Sequence, residues 1–388
     1  MDKILKIFIF VCFFAVLNGG YAGHTQAQPA FFDMTKIEKI PTYHEELPEE
    51  QFLATTDSYE ETPKGDKYLA YRVRLPRGWS QMQVSSSRAY KSDEIEEAGL
   101  SRRMLGEVAR YFGPGRIEAL TRFDIQALSL EHDVTAKNWF MHEMLARGYT
   151  LEGLKEISDR RIEVLYVVVE KDVSYVVRSV AEINGPRMII ASYAIPEKFW
   201  MQERAYQERV IESFEFVSPE VSRIEMVRTH TFLDLLSFDY PASWRLIAPA
   251  VYSIDGMEAK LINSRDDVTL AGEMSLSVLS SDFEGGVSEE IEYLKEDIRL
   301  RGLDFGDLIE IVSEEYDIPD FLYYAHVEIY ELHNVEGAVM GHEYWVAVME
   351  EDRYFYVLTM LSPSREVEFY TWARNKEAFK TVIESFKL

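Results

Sequence analysis

The chain has almost no cysteine: one in 388 residues, Cys12, inside an apolar N-terminal run. With that run removed no thiol is left. Disulfides, thiolate zinc sites, iron–sulfur clusters and cysteine nucleophiles are then excluded. Positive charge is scarce as well. Lysine and arginine number 41 against 67 acids, a net charge of −26, and no nucleic acid is expected as a partner. Beyond Leu17 no apolar run is long enough to cross a bilayer, so no stable transmembrane span is expected in the mature chain. A Gly-x-Ser-x-Gly elbow and a phosphate-cradling glycine loop after a strand are both missing. What is present, with 47% hydrophobic residues, is a globular chain long enough for two or three cores.

The N-terminus reads as an export signal. Lys3 and Lys6 precede an apolar run from Ile7 to Leu17, and Gly19, Gly20 and Ala22 follow. Residues 1–27 are taken as the signal peptide, with cleavage after Ala22 or Ala27; a retained anchor is the alternative. The apolar run falls short of the roughly 20 residues that a spanning helix needs. Phe10 and Val11 before Cys12 do not suit lipidation. A cysteine-free exported chain fits a bacterial periplasm; a secreted or membrane-tethered form are the other readings. Residues 28–67, rich in Pro, Glu and Thr, read as an acidic, poorly ordered leader with one docked segment near Phe31 and Phe32.

The rest repeats itself. Pro76-Arg77-Gly78-Trp79 recurs as Pro241-Ala242-Ser243-Trp244, and Trp200 with Val210-Ile211-Glu212-Ser213-Phe214 recurs as Trp372 with Val382-Ile383-Glu384-Ser385-Phe386. Arg147-Gly148 and Arg301-Gly302 form a third shared anchor. A first copy over 68–218 and a second over 219–388 are expected. Each opens with an alternating strand: Leu69, Tyr71, Val73 and Leu75 on one face, and Leu236, Phe238 and Tyr240 in the second. A helix ending in glycine follows, capped in the second copy by Ser288. Three antiparallel strands come next, with Asn184-Gly185 as a hairpin turn. A last helix then packs on the sheet. The first copy carries about eleven extra residues between the Trp79 and Gly148 anchors, and an inserted helix is expected over 100–112.

Motifs that carry chemistry are few. His142-Glu143 and His342-Glu343 begin like a zinc-protease motif, but Ala146 and Val346 stand where the second histidine should be. His326 and Glu328 share a strand face and would need a third ligand to hold a metal. Asp266-Asp267, Glu314-Glu315 and Glu350-Glu351-Asp352 read as turn and surface acids, without the ordered calcium-loop pattern. Tyr323, Tyr324, Tyr330, Tyr344, Trp345, Tyr354, Phe355 and Tyr356 crowd the second sheet. Core packing explains them, with one aromatic face left as an alternative binding surface.

The order of these elements resembles the PsbP/Mog-like superfamily, which includes bacterial periplasmic DcrB-like proteins. The resemblance rests on a strand ending in Pro-x-x-Trp, a helix, an antiparallel meander and a last helix closing on Ile-x-Ser-Phe, and covers roughly Lys67 to Leu388. It implies an α+β fold of two tandem PsbP/Mog-like domains, each an antiparallel sheet flanked by helices. It also implies a non-catalytic binding or assembly role. That superfamily shares no catalytic motif, so Pro76, Trp79, Pro241 and Trp244 match its structural signature alone. No catalytic residue, cofactor or metal is expected.

Charge separates the copies. Residues 68–218 hold 21 Lys/Arg against 22 acids, and 219–388 hold 14 against 34. The first copy places Arg72 and Arg74 on one strand face, and Arg102, Arg103 and Arg110 on the expected helix. Arginine forks suit acidic partners, so these five are the candidate partner-binding residues, and salt-sensitive self-association with the acidic second copy is one outcome. The function expected is an exported, non-catalytic binding or assembly protein of the bacterial envelope with an envelope protein as partner. The alternative is a carboxylate-based hydrolase or carbohydrate-active enzyme with a site between the domains.

Overall fold

The computed structural model describes residues 37–82, 102–113, 119–232, 235–247, 256–264, 270–282, 286–334 and 337–388, with backbone alone for 102–104 and 256–257. The expected signal peptide lies outside the described residues. In chain order the first half runs α1 (Glu49–Thr55), β1 (Thr56–Glu61), β2 (Tyr71–Pro76), β3 (Ser80–Met82), β4 (Arg102–Phe112), β5 (Arg122–Leu130), α2 (Ala136–Arg147), β6 (Thr150–Ser158), β7 (Arg161–Glu170), β8 (Val173–Asn184), β9 (Arg187–Pro196), α3 (Glu197–Glu212) and β10 (Glu215–Phe216). The second half runs β11 (Val227–Phe232), β12 (Leu236–Pro241), β13 (Arg245–Ile247), β14 (Gly256–Ser264), β15 (Leu270–Ser280), α4 (Gly286–Leu300), β16 (Leu303–Ile311), β17 (Tyr324–Asn334), β18 (Val339–Glu350), β19 (Tyr354–Pro363) and α5 (Phe369–Glu384).

The class is α+β, with two seven-stranded antiparallel sheets. Their strand orders are β3-β4-β5-β9-β8-β7-β6 and β13-β14-β15-β19-β18-β17-β16. Central strands are apolar on both faces because both faces are covered. In β9, Ile189, Ala191, Tyr193 and Ile195 face one core, which includes Val210, Ile211 and Phe214 around α3. Met188, Ile190 and Ala194 face the other, together with Trp139, Phe140 and Met144 of α2. That second core continues into the second half through Trp345, Leu358, Phe379 and Phe386, and α2 packs against α5. The outer face of the second sheet is closed by Leu294 and Ile298 of α4 over Val357 and Val346. Burial on this scale, at about 25 cal/mol per Å² of apolar surface, is the main source of stability.

The opening strands β2 and β12 stand apart from the large sheets, pairing with β1 and β10 and with β11. The alternation read from the sequence holds there: Tyr71, Val73, Leu75, Leu236, Phe238 and Tyr240 are buried. The last helices of the two halves meet these strands through like contacts. Ser213 Oγ accepts the Arg74 N–H at 3.0 Å, and Ser385 Oγ accepts the Asp239 N–H at 2.8 Å. Glu215 then pairs with Arg72, and Lys387 with Ser237. The serine of Ile-x-Ser-Phe is thus a clasp between helix end and strand, while the phenylalanine beside it fills the core (Phe214 1% exposed, Phe386 2%). Gly148 (φ +63°) and Gly302 (φ +80°) take the left-handed conformation that stops each middle helix. At the β8–β9 hairpin, Asn184 Nδ2 donates to the carbonyls of Tyr68 and Ser218, tying the ends of the first half together.

Three expectations fail. The leader is built into the fold from Ile37 onward: α1 and β1 form, and Ile40, Leu47 and Phe52 are buried. Its acidic composition concealed a few well-spaced apolar anchors. Its residues 28–36 lie outside the described residues. The expected helix over 100–112 is strand β4 from Arg102 onward. Register shifts at Met104/Gly106 and Glu107/Ala109 break the two-residue alternation that would have revealed a strand. The extra length falls before it: 83–101 separate β3 from β4, against 248–255 between β13 and β14, nineteen residues against eight. Ser288 lies inside α4, whose first residue is Gly286, and does not cap it.

Candidate functional site

Of the five candidate arginines, Arg72, Arg74 and Arg110 have described side chains, and each is engaged within the fold. Arg72 on β2 bridges Glu60 (2.8 Å) and Glu215 (3.1 Å), and its guanidinium is half-exposed. Arg74 points the same way but turns back to Thr56 Oγ1 and to the carbonyls of Leu53 and Thr56, closing the C-terminal end of α1. Arg110 belongs to the large sheet, where it pairs with Asp124 (2.5 Å) and Glu107 (2.9 Å). Arg102 and Arg103 lie on β4, and their side chains are outside the described residues.

Among the described residues a cluster of buried charge lies elsewhere, where α3 meets β7 and β8. Trp200, Arg204, Glu208 and Glu212 recur every four residues and so share a helix face. The Tyr43–Leu47 turn docks along that face. Tyr43 meets Trp200 edge-on (6.0 Å), and the Arg204 guanidinium lies 4.3 Å over the Tyr43 ring. Arg204 also pairs with Glu46, and Arg209 Nε donates to the Leu47 carbonyl at 3.1 Å. Glu208 is fully buried at the centre. Its Oε2 accepts the Tyr43 N–H (2.5 Å), and its Oε1 accepts from Arg178 Nη2 (3.3 Å). Arg178 on β8, 1% exposed, also grips Glu163 of β7. His44 Nε2 closes the group, 3.5 Å from Glu208 Oε1 and 3.1 Å from Glu212 Oε1. Burial raises the Glu212 carboxyl above the usual carboxylate range, opposed by His44. Among the described residues, His44, Glu208 and Glu212 are the set with metal-ligand spacing, their donor atoms all within 4.8 Å.

Sequence reasoning passed this cluster over, because His44 sat in a segment read as poorly ordered. The available signal was Glu208-x-x-x-Glu212, two carboxylates one turn apart on a helix face.

The sites that were singled out resolve differently. His326 Nε2 lies 3.0 Å from Glu328 Oε1, but the other Glu328 oxygen takes the Tyr330 hydroxyl at 2.5 Å. His142 lies against Tyr370 with the rings tilted at 43° and 5.2 Å apart, where α2 meets α5. Glu343 is buried beneath Arg365 (3.0 Å) and accepts both indole N–H groups of Trp345 (3.3 Å) and Trp372 (2.9 Å). Glu315 pairs with Lys376, and Glu350 takes the Tyr323 hydroxyl. Asp266 and Asp267 lie outside the described residues. The aromatic crowd is mostly core: Trp345 and Tyr356 on the inner face, Tyr344 and Tyr330 with Phe305 on the outer. Tyr323 precedes β17, and it and Tyr324 remain exposed. No helix among the described residues is long and apolar enough to cross a membrane.

No family profile matches the chain, and no curated protein matches it. Among solved structures it is similar to cyanobacterial PsbP from Synechocystis sp. PCC 6803, at 14% identity and a TM-score of 0.31, over 42% of this chain and 93% of that one. It is also similar to the immunity protein TplEi of T6SS from Pseudomonas aeruginosa, at 8% identity and a TM-score of 0.20, over 82% of this chain and 94% of that one. Likeness at that level carries no functional inference.

Proposed function

We propose that this chain is an exported, non-catalytic binding or assembly protein of the bacterial cell envelope, built as two tandem PsbP/Mog-like domains over 68–218 and 219–388. The observation that carries the reading is a shared scaffold with divergent surfaces. The strand orders match, and Ser213 and Ser385 clasp like strands in the same way. On that common frame the charge has moved apart: Arg74 stands where the second half has Asp239, and 68–218 hold 21 Lys/Arg against 22 acids where 219–388 hold 14 against 34. Duplicates that keep their core and change their surface suit a protein that holds different partners on its two halves. The acidic half offers a partner of complementary charge a steered, salt-sensitive encounter.

The test is to fractionate producing cells and sequence the mature N-terminus, then recover the protein with its neighbours after cross-linking. A periplasmic chain beginning at Gly23 or Gln28 and bringing down a discrete envelope protein is expected. A cytoplasmic chain, or turnover of a glycoside or ester by the pure protein, would overturn the reading in favour of another class.

A further inference from the structure

We propose that His44, Glu208 and Glu212 form a divalent-cation site of the zinc class that clamps the Tyr43–Leu47 turn to α3. This does not rest on the assembly reading. One imidazole from the docked turn and two carboxylates from α3 are a recognised nitrogen–oxygen donor set for such ions. The spacing suits it. Zinc bonds of about 2.0–2.1 Å in a tetrahedron set neighbouring donors roughly 3.3 Å apart, and His44 Nε2 lies 3.5 Å and 3.1 Å from the two carboxylate oxygens. The Glu208 carboxylate is oriented from outside as well. The Tyr43 N–H holds one oxygen of Glu208 and Arg178 supports the other, the supporting shell that tunes a metal site. His44 is 40% exposed and Glu212 27%, which leaves an entry path and a solvent-side fourth position.

The charge balance points the same way. Glu163, Glu208 and Glu212 surround a single buried cation, Arg178; Lys155 reaches Glu163 only at 3.9 Å from a half-exposed position, and Arg209 reaches Glu212 at 3.9 Å. Buried carboxylates in excess are costly unless compensated. The helix α5 shows the alternative. It has the same length as α3 and also carries tryptophan at its fourth position, but its twelfth and sixteenth residues are Lys380 and Glu384, an ion pair at 3.9 Å. In α3 both positions are carboxylates, with Arg178 of β8 on Glu208 and Arg209 of α3 reaching Glu212 only at 3.9 Å, which leaves room for a further cation.

The experiment uses the untagged exported chain, stripped with a chelator. Zn2+ is titrated by calorimetry, and Co2+ by visible absorption. One saturable site per chain is expected, with the intense Co2+ bands of a four- or five-coordinate ion, and Mg2+ or Ca2+ in excess should not displace it. His44→Ala and Glu212→Gln should each weaken binding at least about tenfold, the scale seen even for supporting residues. His132→Ala, which breaks a separate His132–Glu225 pair, should leave it unchanged. Both ligand variants alter partly exposed side chains, and an unchanged circular dichroism spectrum establishes that they fold. Absence of a saturable site, a six-coordinate Co2+ spectrum, or undiminished affinity in folded His44→Ala would overturn the proposal.

Discussion

Phe386→Ala tests the packing of the C-terminal helix most sharply. Phe386 follows the last turn of α5 and is 2% exposed. Its ring lies 5.6 Å from Tyr356 on β19 and 6.3 Å from Phe238 on β12. It therefore joins helix, large sheet and opening strand at one point, within the core that both halves share. Truncating a buried phenylalanine removes its transfer free energy and leaves a cavity, about 3–5 kcal/mol in all. The two ring contacts place the cost toward the upper part of that range, since such pairs add roughly 0.5–1.5 kcal/mol beyond burial. Collapse around the void is hindered because Tyr356 and Phe238 are held in strands. Against a typical total of about 5–15 kcal/mol the loss is large. Urea unfolding followed by tryptophan fluorescence should show a lower midpoint with little change in slope. Phe214→Ala, which removes contacts to Tyr71 and Phe216 at 5.8 Å each, should cost a similar amount in the first half. A loss below about 1 kcal/mol for Phe386→Ala would mean that α5 does not dock as described.

Other consequences are equally direct. Ser213→Ala and Ser385→Ala each strand a strand N–H and should cost about 1–3 kcal/mol by urea unfolding, by nearly the same amount in the two halves. Glu343→Gln leaves Arg365 without its buried partner and should destabilise by about 3–5 kcal/mol, whereas replacing the exposed Glu310 on the same arginine should cost little. Burial pushes the Glu377 carboxyl up to about 7, against the pull of Lys380 and Lys376 and with Asp159 and Asp133 adding to the rise. The folded form then holds a proton that the unfolded chain releases near 4.5. Stability from this group is present below about 4.5 and is lost as pH rises toward 7. Glu377→Gln should flatten the pH dependence in that window and stabilise the protein at pH 8; an unchanged profile would refute the assignment.

Much of the scaffold could be read from sequence because its signals are local. Pro76 and Pro241 end strands, Gly148 and Gly302 stop helices, and Ser-Phe closes each last helix; each needs only neighbouring residues to act. The failures have non-local causes. Strand β4 hides behind two irregularities in register, with Gly106 at φ +90°. The leader hides because three buried apolar side chains outweigh a run of acids, a balance set by a surface that α3 and β6 provide. The α3 cluster showed only its two carboxylates for the same reason, since its other members come from distant parts of the chain. Glu208 meets the Tyr43 N–H from 165 residues away in the chain. The arginines looked available in one dimension, but Arg74 and Arg110 have carbonyls and carboxylates supplied by the fold.

The measurement closest to the central claim is cross-linking in intact producing cells, with recovery under denaturing conditions and mass spectrometry of the linked peptides. The account predicts an envelope protein linked reproducibly to surface residues of one half. It also predicts that binding of the purified pair weakens as salt is raised, because exposed charges are screened beyond about 8 Å at physiological ionic strength. Links only to abundant bystanders, or a partner bound equally well at low and high salt through the acidic half, would contradict it.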